Sequence, residues 1–168
     1  MARQRGRSVR ASQVEMIEIV MPADTNHFGN IWGGRVMALI DKAAALTAMR
    51  HCRTNVVTAS VDFLVFRAAI KLGHIVRLFA SINAAFSSSM EVGVKVLSED
   101  PLSGQQVHCC SAYITMVSLD ANGRPTEAPR LAPKGQEELR RQREALRRRG
   151  ARLRARRRAQ RADRRPGS

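Results

Sequence analysis

Asp41 is the side chain of this 168-residue sequence best placed for chemistry. It falls within a run of helix formers, and the residues three and four positions away are Met37, Ala38, Ala44 and Ala45. No cation therefore stands at helical pairing distance. A carboxylate on an apolar face is open to desolvation, which raises its proton affinity and suits it to act as a general base. A carboxylate that bonds a loop backbone is the competing reading.

The second feature lies just upstream, in Gly29-Asn30-Ile31-Trp32-Gly33-Gly34. Two glycines at the start of a helix let a ligand approach the unpaired N–H groups there. Those groups and the helix dipole suit a developing oxyanion. Asn30 adds a donor and an acceptor at the same mouth. A glycine-rich turn is the plain alternative. Asp41 is eight residues past Gly33, about 12 Å along a helix axis, too far for one helix to serve one reacting group. Two such helices packed antiparallel would set Asp41 of one copy against the mouth of the other. The spacing thus predicts a site shared across a dimer, and the small residues Ala38, Ala43, Ala44, Ala45 and Ala48 suit close approach.

Other candidates are weaker. His51 and Cys52 point in different directions on a helix and make no nucleophile pair. Asp62 could be a second acid of the site or a partner of Arg67, and the structural role is the favoured reading. His27 reads as a solvated loop residue, and Ser87-Ser88-Ser89 as a connection that could contact a polar ligand. Cys52, Cys109 and Cys110 lack the spacing of a disulfide framework or a metal site. The chemistry weighed for Asp41 and the helix mouth is itself expected to need no metal and no cofactor.

These residues need elements to hold them. The apolar pattern predicts a strand over Val14–Met21 and a helix over Arg35–Cys52. Further strands are predicted over Asn55–Phe66, Gly73–Phe86, Met90–Leu97 and Val107–Leu119. The helix is apolar on more than one side. This order predicts an α+β domain, a curved antiparallel sheet wrapped around one helix.

Charge divides the chain. The net charge of +15 first suggests a polyanionic partner. It is +4 over residues 1–13, zero over 14–133 and +11 over 134–168. We therefore expect a flexible basic arm at 1–13, one domain at 14–133, and an Arg-rich, partly helical or disordered tail at 134–168. Leu139, Leu146 and Leu153 repeat every seven residues in that tail, but the companion apolar position is missing, which argues against a coiled coil. The first residues lack the apolar core of a secretory signal.

Met21-Pro22-Ala23-Asp24-Thr25-Asn26, the Gly29–Gly34 stretch and Ile40-Asp41-Lys42-Ala43-Ala44 together resemble the cytosolic acyl-CoA thioester hydrolases. So do Arg50–Asp62, Ser89-Met90-Glu91-Val92 and Ser111–Leu119. The likeness spans residues 14–133 and extends to single-domain bacterial members. It implies the hotdog fold, hydrolysis of acyl-CoA to free acid and CoA, a cytoplasmic location, and dimers assembled three to a hexamer. It implies a site with an Asn on one domain and an Asp on the other, matched by Asn30 and Asp41, with Gly33 or Gly34 as the oxyanion donor. Asp41 would activate water or attack directly to give an anhydride. Ser88 and Ser89 look like the CoA contact region. Two alternatives stay open. One is an acyl-CoA-sensing or nucleic-acid-binding platform whose tail meets RNA or a membrane surface. The other is a dehydratase, which the absence of a matching His disfavours.

Overall fold

The computed structural model describes residues 6–163. Its body is a five-stranded antiparallel sheet of β1 (Val14–Ile19), β2 (Asn55–Phe66), β3 (Ile75–Ala85), β4 (Ser89–Glu99) and β5 (Gln106–Leu119). The spatial order is β1-β3-β4-β5-β2. Helix α1 (Gly33–Cys52) follows β1, and a second helix, α2 (Gly135–Asp163), closes the described chain. The α+β arrangement is the one expected, and the strand limits agree to within a few residues.

Alternation along the strands assigns the two sheet faces. Val76, Leu78, Ala80 and Ile82 of β3 pack with Val92, Val94 and Val96 of β4, Ala112, Ile114 and Met116 of β5, and Val36, Leu39, Ile40, Ala43 and Ala44 of α1. That face wraps the helix. The other side of α1 is not covered by the described residues, and Met37, Leu46 and Met49 are exposed there. Edge strand β2 also exposes Val57, Val61, Phe63, Val65 and Phe66. An edge of this length and apolarity ordinarily calls for a partner.

Two expectations about the ends are corrected. Residues 6–13 are not a free arm. Val9 and Ser12 are buried in a short 3-10 turn (Val9–Ser12). Arg7 bonds the Arg130 carbonyl through its N–H and accepts from Ala132 N. Its guanidinium donates to the carbonyl of His51. Arg3 and Arg5 of the expected arm lie outside the described residues. The tail, in turn, is no loose appendage. α2 lies on the outer sheet face, where Ala145 is fully buried.

Polar side chains on that face hold α2. Arg148 donates to both carboxylate oxygens of Glu91, at 2.7 and 3.2 Å, and Glu91 is 0% exposed. Asn83 donates to the same carboxylate at 3.0 Å. Gly93 makes room for this network, because a Cβ there would come within 2.7 Å of Asn83. The Arg148 guanidinium also stacks over Tyr113, and Arg149 over Phe86, contacts that suit a planar cation. One turn on, Arg152 pairs with Asp62. Asp62 also accepts from Ser60 and Thr115. Asp62 is thus structural, as favoured, but its cation is Arg152 and not Arg67.

Candidate active site

The loop before α1 is tied down by its own polar groups. The Asp24 carboxylate accepts from Arg35 Nε and from Met21 N, while its carbonyl accepts from Trp32 N. Asn26 Oδ1 accepts from Phe28 N at 3.0 Å and Asn30 N at 3.2 Å, and Asn26 N donates to Asn30 O. Gly29 turns the chain at φ 73°, a left-handed conformation that glycine adopts without strain. The Asn26 amide oxygen is therefore occupied, and its NH₂ group has no partner among the described residues.

This loop delivers the chain to α1 with Trp32 at the N-cap and no side-chain cap. Trp32 O accepts from Arg35 N and Val36 N. The N–H groups of Gly33 and Gly34 have no acceptor among the described residues. A side chain on Gly34 would meet nothing, and one on Gly33 only the Phe66 ring at 3.6 Å. The mouth is open. A cleft of about 400 Å³ adjoins it, lined by Asn26, Asn30, Gly33, Val36, Phe66 and Ile70 among others. Asn30 and Gly33, two of the residues expected to act together, do meet here.

Asp41 is elsewhere. It projects from the uncovered side of α1 beside Met37 and Ala45, and it is exposed on the single chain. Its surroundings are apolar, as expected, but they are open to water. Its partner was not foreseen: Thr58 Oγ1 donates to Asp41 Oδ1 at 2.5 Å. Thr58 lies on β2 opposite Met116, which in turn pairs with Met90. Ser89 is in the next row of the sheet, paired with Val117. Ser88 precedes it and accepts from Ser118 N. The sheet thus brings Ser88 and Ser89 to the end that carries Thr58 and Asp41, and not to the helix mouth.

The other candidates sit in the packed interior. His51 is fully buried, and its Nε2 donates to Pro129 O at 2.9 Å. Burial pushes its pKa below the ordinary histidine value. The Cys109 and Cys110 thiols are pushed up by burial, so neither is an activated nucleophile. No cluster of three or more metal-ligating side chains occurs among the described residues, and no described helix is long and apolar enough to cross a membrane. A larger cavity, about 570 Å³, lies under α2 against the outer sheet face. Much of its charged lining is engaged in pairs such as Arg140–Glu137 and Arg148–Glu91.

Comparison with known proteins places this geometry. A family model of the thioesterase superfamily matches residues 28–105. The uncharacterized acyl-CoA thioester hydrolase YkhA of Bacillus subtilis is 38% identical over 133 residues, 79% of this chain and 77% of the relative. This chain belongs to the acyl-CoA thioester hydrolase family. The rat cytosolic acyl coenzyme A thioester hydrolase is 36% identical over 137 residues, 80% of this chain and 36% of that longer protein. Among solved structures, an acyl-CoA hydrolase of Staphylococcus aureus, in complex with butyryl-CoA and CoA, superimposes with a TM-score of 0.85 at 35% identity. That match covers 93% of this chain and 95% of the other. An apo-hexameric acyl-CoA thioesterase matches with a TM-score of 0.86 at 37% identity, over 89% and 96% of the two chains. The fold of this family member is the hotdog thioesterase fold, with the sheet as the wrap and α1 as the filling.

Proposed function

We propose that the chain is an acyl-CoA thioesterase that releases a carboxylic acid and CoA at a site shared by two copies. The supporting observation is the separation of two half-sites on one uncovered face. Free Gly33 and Gly34 N–H groups and the Asn26 amide are at one end of α1, and the Asp41–Thr58 pair is two turns further on. A second copy packed antiparallel along β2 and the exposed side of α1 covers both and joins each mouth to the partner's Asp41. The same contact buries Val57, Val61 and Phe63, whose exposure on an isolated chain is unfavourable. A symmetric dimer then carries two complete sites.

In this reading the thioester carbonyl points at the Gly33 and Gly34 N–H groups. Asp41 accepts a proton from water as its oxygen adds to the carbonyl carbon. The resulting oxyanion is held by the helix mouth. The carbon–sulfur bond then breaks, the CoA thiolate takes up the proton held by Asp41, and the carboxylic acid gives its remaining proton to solvent as it leaves as carboxylate. Thr58 orients the Asp41 carboxylate.

Asn26 and Asn30 both border the cleft. Variants of the S. aureus hydrolase replace an asparagine, an aspartate and a threonine by alanine. The aspartate follows the asparagine by fifteen residues and precedes the threonine by seventeen. Asn26, Asp41 and Thr58 have the same spacing here. That agreement, together with its unoccupied NH₂ group, supports Asn26 as the residue that orients the carbonyl. Asn30 is assigned to the cleft wall, with its backbone holding Asn26. Ser88 and Ser89 are proposed contacts for the CoA moiety near the Asp41 end.

The reaction so written uses no metal or cofactor. A cytoplasmic location accords with the rat relative's name. A hexamer made of three dimers accords with the apo-hexameric neighbour and with the hexameric thioesterase of Yersinia pestis. The basic tail is proposed to meet an anionic partner. A CoA-release assay over an acyl-CoA panel tests the activity, and mixing inactive Asn26→Ala and Asp41→Asn chains tests the shared site. Half of the random dimers then hold one intact site, so about a quarter of normal turnover returns. No recovery in verified mixed dimers would refute the shared site.

A further inference from the structure

We propose that the outward face of α2 is a docking surface for an anionic phospholipid bilayer. Two sets stand out among the arginines of α2. Arg141, Arg148, Arg149 and Arg152 turn inward onto Ser81, Glu91, Phe86 and Asp62. Arg143, Arg147 and Arg154 turn outward and meet no acid among the described residues. The inward set attaches the helix to the sheet; the outward set is left for a partner.

Apolar side chains share that outward face. Leu139, Leu146 and Leu153 are 44%, 52% and 42% exposed. Seven residues make two turns, so the three leucines form one line along the helix. Arg143, Arg147 and Arg154 run beside it. Leucines flanked by arginines are the pattern of a helix lying in a membrane interface, with the leucines in the acyl boundary and the guanidinium groups at the phosphates.

The same composition suits RNA less well. Single-stranded nucleic acid is gripped by aromatic platforms, and α2 has no Phe, Tyr or Trp. A line of exposed leucines adds nothing to phosphate contacts. The surface is also preformed: the Glu91–Arg148 and Asp62–Arg152 pairs hold α2 on the sheet before any partner arrives, which lowers the ordering cost of docking. The purpose of docking rests on the thioesterase reading, since an acyl-CoA is an amphiphile that partitions into bilayers. The docking itself does not.

The test is co-sedimentation of the full chain with two kinds of vesicle. One is phosphatidylcholine alone; the other is equal parts phosphatidylcholine and phosphatidylglycerol. Binding is expected to the second and to fall with added salt. Leu139→Ser, Leu146→Ser and Leu153→Ser combined should weaken it about tenfold or more. Arg143→Gln, Arg147→Gln and Arg154→Gln combined should weaken it about a hundredfold. Hydrolysis of a short-chain, water-soluble acyl-CoA should be unchanged in both variants. Absence of vesicle binding overturns the proposal, as does a leucine variant that binds like the parent chain. Binding to single-stranded RNA that exceeds vesicle binding and ignores the leucines makes nucleic acid the partner instead. A parent chain that hydrolyses acyl-CoA but does not bind the vesicles refutes this inference alone, whereas absent hydrolysis in the parent chain refutes the thioesterase reading.

Discussion

Thr58 on the edge strand donates its hydroxyl to Asp41 on the central helix at 2.5 Å. The two residues are seventeen apart in sequence and belong to different elements. The bond turns one Asp41 oxygen toward β2 and leaves the other carboxylate oxygen available. Asp41→Asn should lower kcat at least about a hundredfold with little change in KM. Thr58→Val, which removes only the hydroxyl, should lower kcat about tenfold and leave the fold intact. Steady-state kinetics on one acyl-CoA decides both, and an Asp41→Asn protein with near-normal kcat would end the general-base assignment.

The two asparagines at the cleft are separable. Asn26→Ala removes a candidate donor to the thioester carbonyl and also frees the Phe28 and Asn30 N–H groups. It should lower kcat about a hundredfold, the size of losing one oxyanion donor. Asn30→Ala keeps its backbone bonds to Asn26 and should cost about tenfold or less. The reverse order in kcat would move the carbonyl-orienting role to Asn30.

The β2 edge should govern assembly. Val61 is 55% exposed on that strand, and a charge on an edge strand blocks pairing. Val61→Arg should give monomers by light scattering and lose nearly all turnover, because each chain then holds only half a site. Full activity in a proven monomer would contradict the shared site.

The Glu91–Arg148 pair should matter for stability rather than for chemistry. Glu91 is fully buried and Arg148 is partly exposed. Replacing Arg148 by Met leaves a buried carboxylate with Asn83 as its remaining partner. Loss of one partner of a buried pair costs about 3 kcal/mol or somewhat less with one side open to water. Chemical denaturation measures this, and the loss should be accompanied by easier proteolysis of α2.

His51 predicts the acid side of the stability curve. It is fully buried, its Nδ1 has no partner among the described residues, and burial lowers its pKa, with the Arg7 charge adding to the effect. The unfolded chain therefore binds this proton first. The contribution of His51 to stability is complete above about pH 6.5, the ordinary value, and declines as pH falls below it. The slope from this one group is at most about 1.4 kcal/mol per pH unit. His51→Gln keeps a donor for Pro129 O and cannot titrate, so its unfolding free energy should lack that part of the pH dependence.

Much of the architecture was legible in the chain itself. Alternation in Met90–Leu97 and the uninterrupted run Arg35–Cys52 reflect how each element repeats its side chains, a property set within a few residues. Asp41 and the Gly33-Gly34 pair were visible for the same reason, since a charge among alanines and two adjacent glycines are local anomalies. The distance along one helix even implied that a second copy is needed.

Tertiary structure decided what local pattern cannot carry. Thr58 is an ordinary strand threonine until β2 is laid beside α1, and Asn26 is an ordinary loop residue until its oxygen is seen bonded to two backbone N–H groups. The arginine tail shows the difference most clearly. In sequence its arginines are alike and read as a solvated or disordered run. Only the outer sheet face, with Glu91 and Asp62 waiting at one helical turn's spacing, divides them into those that hold the helix and those that remain free. Partners separated by 57 and 90 residues leave no periodic trace, because the contact is made by the fold and not by the repeat of any one element.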